Sequence, residues 1–337
     1  MSFPGPHPPF SVTSKMAASV AGRSWPQPVD SNGKTPLCEL HPASGTPSHE
    51  RTRCNYASEM ENLDRLFGSV LDAAKARGNT VESDTIVCFY SDHGEMRRLA
   101  HTLPALAQWA PAAVVPSPHS RVVGLRVCGC IGEMLDDHND VDKSKPWQGA
   151  LNVPLVCAGP GIRRNATVDV PMATVDIGAT MVDFAGAVGW RDGKMTAQSF
   201  RGLLEGADPA MRNRTVVQSG LQSFNFGART AAEIGEIAVE EADEDDEASE
   251  GKFNFRLAVA EMDGPPRSTF KFVCCQGKCP GAPSTVGQPG ADGYTRLLYD
   301  TVADPFDMTD LKHALPHVAE ALRRELPVMH GFNCSRA

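Results

Sequence analysis

The feature that most constrains the fold is a helix-to-strand succession between residues 58 and 90. Met60, Leu63, Phe67, Val70, Leu71 and Ala74 recur at three- and four-residue steps, the spacing of one helix face. Gly78 follows as a C-cap. After a short polar link, Thr85–Tyr90 reads TIVCFY, an apolar run with β-branched residues. A strand with no polar face must be covered on both sides. With an amphipathic helix before it, the expected architecture is α/β with a parallel sheet. Val153–Cys157 (VPLVC) reads as a second such strand, closed by Ala-Gly-Pro-Gly. Residues 173–186 then read as a helix carrying Val175, Met181, Val182 and Ala185.

The pattern changes from 253. Asn254–Ala260 and Thr269–Cys275 are strand-like and joined by Met-Asp-Gly-Pro-Pro, and Arg296–Tyr299 is a third short strand. These predict a small antiparallel sheet. Leu315, Val318, Leu322 and Leu326 mark a final amphipathic helix. Residues 1–55 are rich in Pro, Ser and His with no sustained period, and read as loop. The MSFPGPHPPF start has no basic or apolar signal region and does not read as a signal peptide.

Composition narrows the functional classes. A chain of 337 residues suggests about two domains. No run of 18 apolar residues exists, so no membrane-spanning helix is expected. The net charge is −9, but ten acids fall between Glu233 and Glu250, and without them it is about +1. The rest is near neutral, which argues against nucleic acid or a membrane surface as partner. The acidic run itself reads as a solvated loop. The ten cysteines are scattered through a chain long enough to bury its own core, so ordinary thiols or one disulfide are expected. Cys274, Cys275 and Cys279 come nearest to a zinc spacing but lack a second paired knuckle. Three glycosylation sequons begin at Asn165, Asn213 and Asn333; they matter only if the chain enters the secretory pathway.

Chemistry concentrates after the first strand. Ser91-Asp92-His93-Gly94-Glu95 follows it directly, where ligands sit in open α/β sheets. A carboxylate beside an imidazole can hold a metal there. The alternative is a polar turn in which Asp92 caps the next helix. Residues 96–133 are anomalous: four Arg, one Glu, no Asp, no Lys, and Gly-Glu-Met on both flanks, at 94–96 and 132–134. With 96–133 set aside, the chain reads SDHGE-MLDDHNDVDKSKPWQGALNVPLVCAGPGI, and Lys143 falls thirteen residues after Asp92.

This closely resembles the sulfatase family, a branch of the alkaline-phosphatase-like superfamily. There a strand ends in Asp-His-Gly or Asp-Asn-Gly, then come a turn, a lysine, a Val-Pro-Leu strand and Gly-Pro-Gly. Three other stretches agree: the Pro6-His7-Pro8-Pro9 loop, the helix over 56–77, and Leu298-Tyr299-Asp300 with Asp304-Pro305 and Asp310-Leu311. The resemblance implies an α/β alkaline-phosphatase-like sandwich with a mostly parallel central sheet, plus a small C-terminal antiparallel sheet and helix. It implies a sulfuric ester hydrolase acting on a small-molecule or carbohydrate sulfate ester. Asp92 and His93 resemble ligands to a divalent metal, usually calcium. Lys143 resembles the lysine that holds the ester oxygens, and His7 the histidine beside the leaving oxygen. His138 and Lys145 are weaker candidates. The alternatives are a phosphonate or phosphate ester hydrolase of the same superfamily, or a non-catalytic truncated product.

One departure stands out. The family's first strand carries paired aspartates, and a Cys-x-Pro-x-Arg or Ser-x-Pro-x-Arg motif follows whose first residue becomes the formylglycine nucleophile. No such pentapeptide occurs here. The chain thus reads as N-terminally truncated and inactive as it stands. The expected organisation is a partial catalytic domain over 1–230 with 96–133 inserted, an acidic loop over 231–252, and a C-terminal sheet-and-helix subdomain over 253–337.

Overall fold

The computed structural model describes residues 12–23, 49–91, 134–135, 137–139, 145–187, 197–207, 216–221, 253–262, 268–279, 282, 286, 288–326 and 334. The elements are α1 (Ser14–Val20), α2 (His49–Ala76), β1 (Val87–Tyr90), α3 (Gln148–Leu151), β2 (Leu155–Ala158), α4 (Thr174–Phe184), α5 (Arg201–Glu205), β3 (Val216–Leu221), β4 (Phe253–Met262), β5 (Ser268–Gln276), β6 (Tyr294–Asp300) and α6 (Pro316–Arg324).

The strand β1 is buried on both faces, as its composition demands. Val87 and Phe89 point to a cluster built on α2 through Tyr56, Met60, Leu63, Phe67 and Leu71. Phe67 meets Phe89 edge-on at 5.5 Å. Ile86 and Cys88 point the other way, toward Ile162 and the partly buried Met181 and Phe184 of α4. Helix, sheet and helix thus form three layers.

The mostly parallel central sheet is not found among the described strands. There β1 pairs with β2 antiparallel, with Val87 opposite Ala158 and Tyr90 opposite Leu155. Two-sided burial was the basis for expecting parallel strands, but burial records which faces are covered and says nothing of direction. A disulfide joins Cys88 to Cys157 across this pair.

The C-terminal antiparallel sheet is present and has four strands in the order β3-β4-β5-β6. The strand β3 escaped the sequence reading because Val216-Val217-Gln218 is too short a run to register. Alternation along β4, β5 and β6 divides their side chains between two cores. Ala258, Phe272 and Leu298 pack on Val318 and Leu322 of α6. Phe255, Leu257, Val273, Leu297 and Tyr299 pack on Met134, Trp147 and Ala150.

Two further differences concern helices. The stretch read as loop contains α1, whose N-terminus is capped by the Thr13 hydroxyl accepting from Met16 N–H. And α2 begins at His49, nine residues before the predicted start. Its buried stripe continues backwards through Tyr56 to Arg53, and a buried arginine interrupts the apolar period that sequence reading follows.

The cysteines also differ from expectation. Cys274 is bonded to Cys334 and Cys275 to Cys279, so the spacing that resembled zinc ligands belongs to two disulfides. No cluster of three or more metal-ligating side chains occurs among the described residues. No helix among them is long and apolar enough to cross a membrane.

Candidate functional site

The four principal candidates, His7, Asp92, His93 and Lys143, lie outside the described residues, as do the 96–133 segment and the acidic run. The described residues are the frame that carries the candidates. Its first member is the end of β1. Ser91, the residue directly before Asp92, is fully buried, and Phe89 two residues earlier is locked into the α2 core.

Its second member is the turn Met134–Asn139. Arg53 reaches it from α2: its Nε donates to Leu135 O at 3.1 Å, and its Nη2 lies 3.5 Å from Asp137 Oδ1. Both charged groups are almost wholly buried. Leu135 and His138 have φ of 44° and 58°, a left-handed conformation that costs a residue with a Cβ about 1 kcal/mol or more. Arg53 satisfies the Leu135 carbonyl and Asp137 N–H donates to Met134 O at 2.8 Å, so a side chain and the backbone both brace the turn. His138, one of the weaker candidates, is buried with its ring 5.4 Å from Trp147 and its Nδ1 unpartnered. Lys145, the other, is half-buried.

The third member is a clamp on either side of Trp147. Lys271 and Asp307 are both fully buried and meet at 2.6 Å. The Lys271 ammonium also donates to Pro146 O at 2.8 Å. Asp307 Oδ2 accepts from Gln148 N–H at 2.7 Å, which caps the first exposed amide of α3. Trp147 sits between these anchors with no exposure, edge-on to Tyr299 at a centroid distance of 6.1 Å. Lys143 lies three residues before Pro146, so the clamp holds the chain within ~11 Å of it.

Electrostatics follow from burial. Desolvation pushes Lys271 below its ordinary value, and the adjacent Asp307 carboxylate opposes that. Desolvation pushes Asp307 up, and Lys271 opposes that in turn. The short contact and the cap on Gln148 favour the ionised pair. Tyr299 is pushed far up by burial and then by Asp307, Asp310 and Asp304, so it stays a neutral phenol.

Arg53, Trp147, Lys271 and Asp307 escaped the sequence reading. A signal for one of them was present. In Phe270-Lys271-Phe272-Val273 the lysine occupies the same face as Val273, so a core-facing cation needed a buried acid elsewhere.

Comparison with known proteins places this frame. A sequence model of the sulfatase family, "Sulfatase", matches residues 1–187. Arylsulfatase K of Gallus gallus is 24% identical over 164 residues, an alignment covering 45% of this chain and 23% of that protein. N-acetylglucosamine-6-sulfatase of Capra hircus is 37% identical over 67 residues, covering 20% of this chain and 12% of that protein. The matched part is therefore under a quarter of either relative's length. The solved phosphonate monoester hydrolase of Agrobacterium radiobacter superposes with a TM-score of 0.48 at 20% identity, over 86% of this chain and 43% of that chain. The family match spans more than half of the 337 residues and takes in β1, the turn at 134–139 and β2, so the chain belongs to the sulfatase family.

Proposed function

We propose that this chain carries part of a sulfuric ester hydrolase site. The observation that supports it is local: β1 ends at Tyr90 and is followed by Ser91, buried and directly before Asp92-His93, and the clamp fixes the chain just beyond Lys143. In this reading Lys143 holds the ester's anionic oxygens as a point charge. His7 gives a proton to the leaving alcohol oxygen. Asp92 and His93 would hold a divalent metal, which when bound supplies positive charge to the ester oxygens and the attacking group. The donor set fits calcium in kind, one hard carboxylate oxygen with an imidazole, but calcium takes 6–8 ligands. Two donors alone bind weakly.

The mostly parallel central sheet and the three-part division at 230 and 252 belong to the same reading. So does inactivity of the chain as it stands, because no residue lies in a formylglycine-forming motif. Losing a covalent nucleophile costs several orders of magnitude in rate.

The test is an assay of purified chain on an aryl sulfate and an aryl phosphonate, with and without calcium, alongside a calorimetric calcium titration. The expected result is no enzymatic turnover and weak calcium binding that Asp92→Ala abolishes. Robust metal-dependent turnover, lost in Asp92→Ala, would overturn the inactivity. Calcium binding unchanged in Asp92→Ala would overturn the ligand assignment.

A further inference from the structure

We propose that the outer edge of β6 is a self-complementary surface for a second copy of this chain, and that residues 304–312 are a strap that holds it closed. The first leg is backbone accounting. In an antiparallel strand, alternate residues bond to the neighbour on one side, and the residues between them face the other side. Leu298 gives both of its backbone groups to residues outside the sheet, so Tyr294, Arg296, Leu298 and Asp300 face the outer edge. Thr301, of the opposite parity, donates instead to Thr269 O next to β5, at 2.9 Å.

No strand pairs with that outer edge among the described residues. Its groups are taken one at a time. Tyr294 O accepts from Gly290 N–H at 2.9 Å, and Asp300 O from Asp304 N–H at 2.8 Å. Between them lies the strap. Leu298 N–H donates to Asp310 Oδ1 at 3.0 Å, Leu298 O accepts from Leu311 N–H at 2.7 Å, and Lys312 Nζ donates to Arg296 O at 2.9 Å. A carboxylate and an ammonium thus stand where a neighbouring strand's carbonyl and amide would be, which keeps an edge from templating another chain. The two act as one local unit. Lys312 N–H donates to the same Asp310 Oδ1, and the side chains pair at 3.2 Å. Both are partly exposed, so water competes for these contacts and the strap is the part of the edge that yields first.

The second leg is what the strap covers. Antiparallel pairing about a two-fold axis at Leu298 sets Arg296 opposite Asp300 of the second copy, and Asp300 opposite Arg296 of the second copy. Thr295 meets Thr301, and Leu297 meets Tyr299. Opposite charges facing each other across two strands stabilise a pair, and like charges oppose it. Centring the axis on Arg296 or Asp300, the neighbouring outward-facing positions, would set each against its own like charge. The Leu298 register also keeps the layers in order: Leu298 stays on the α6 face in both copies, and Leu297 and Tyr299 stay on the Trp147 face. The helix α6 lies chiefly over β4 and β5, so it does not overhang the edge.

The experiment compares the purified full chain with its double variant Asp310→Ala, Lys312→Ala. That variant opens the strap and leaves Leu311 packed on the α6 core. Sedimentation velocity over a concentration series gives the mass, and amide hydrogen exchange reads the Leu298 N–H. The unmodified chain should stay at 36.1 kDa, and the opened variant should move toward twice that mass as concentration rises. Leu298 N–H should be protected in the unmodified chain, lose that protection in the dilute opened variant and regain it in the concentrated one. Adding Arg296→Asp to the opened variant should weaken the dimer by about tenfold or more, because two attractions become two repulsions. Its unfolding midpoint, measured alongside, reports whether the monomer keeps its fold. An opened variant that stays monomeric while Leu298 N–H exchanges freely would overturn the self-pairing. Equal protection of Leu298 N–H in the dilute opened and unmodified chains would overturn the role of the strap. A folded Arg296→Asp variant that dimerises as strongly as its parent would overturn the register.

Discussion

Lys271 and Asp307 show how much one buried pair can be asked to hold. Each has no exposure, and between them they satisfy a carbonyl and an amide on either side of Trp147. Asp307 does so from φ 57°, an unfavourable conformation for a residue with a Cβ. Removing one partner leaves an uncompensated charge in the core. Lys271→Met should therefore cost about 3–5 kcal/mol. The double change Lys271→Met with Asp307→Asn keeps an acceptor for Gln148 N–H and removes the stranded charge, so it should lose less than Lys271→Met alone. Urea unfolding of the three proteins measures this. A double variant less stable than the single would mean that the pair does not act as a compensated unit. At this scale little was legible in advance. The sequence marks Asp92, His93, Lys143 and His7 by their order, but Arg53 and Lys271 look like surface residues until the fold turns them inward.

Elements were easier to read than their ends. The runs at 85–90, 254–260, 269–275 and 296–299 all fall on observed strands, because each has an apolar face long enough to show its period. Strand direction was not readable, since β1 and β2 meet antiparallel with the same composition that parallel strands carry. The start of α2 was lost where Arg53 enters the buried stripe. The last helix was legible from the spacing of Leu315, Val318, Leu322 and Leu326, although it spans only Pro316–Arg324, and it supplies a pH test. Hydrogen bonds from Arg323 and then Arg324 hold the Glu320 carboxyl down to about 2 from an ordinary 4.5. The folded state therefore binds this proton less readily than the unfolded chain. The contribution is complete above the ordinary carboxylate value and is lost as pH falls toward about 2. A carbon-detected NMR titration should find the Glu320 midpoint well below 4; a midpoint near 4.5 would show that the arginines do not hold it. High salt should shrink the shift, because the group is exposed.

On the scale of the whole molecule, the turn at 134–139 is a seam. Met134 belongs to the core of the C-terminal sheet, and Leu135, its neighbour, belongs to the core of α2 and β1. Arg53 fastens the seam from one side, and Lys271 with Asp307 fastens its continuation from the other. Two cores sharing one strip of chain should melt together. Calorimetry is expected to give a single transition, with Leu135→Ala lowering its midpoint at a cost of about 2–5 kcal/mol. Two resolved transitions, only one of them moved by Leu135→Ala, would show that the seam does not couple the cores. This coupling was not legible in the sequence, where the stretch appears as part of one motif and the C-terminal strands as a separate sheet. What joins them is contacts between residues far apart in the chain, 82 positions for Arg53 and Leu135 and 125 for Lys271 and Pro146, which no local period records.

The neighbouring cysteines of β5 face opposite sides of the sheet, Cys274 toward α6 and Cys275 toward Trp147. Their partners arrive at very different distances along the chain, 60 residues for Cys334 and 4 for Cys279. The short loop closes first, since its ends are rarely apart. If it closes on Cys274 instead, the strand must slip by one residue, and every core-facing side chain of β5 turns to the wrong layer. During oxidation, then, the choice between two adjacent sulfurs is also a choice of strand register, and the wrong bond would be a covalently locked misfold that only thiol exchange can undo.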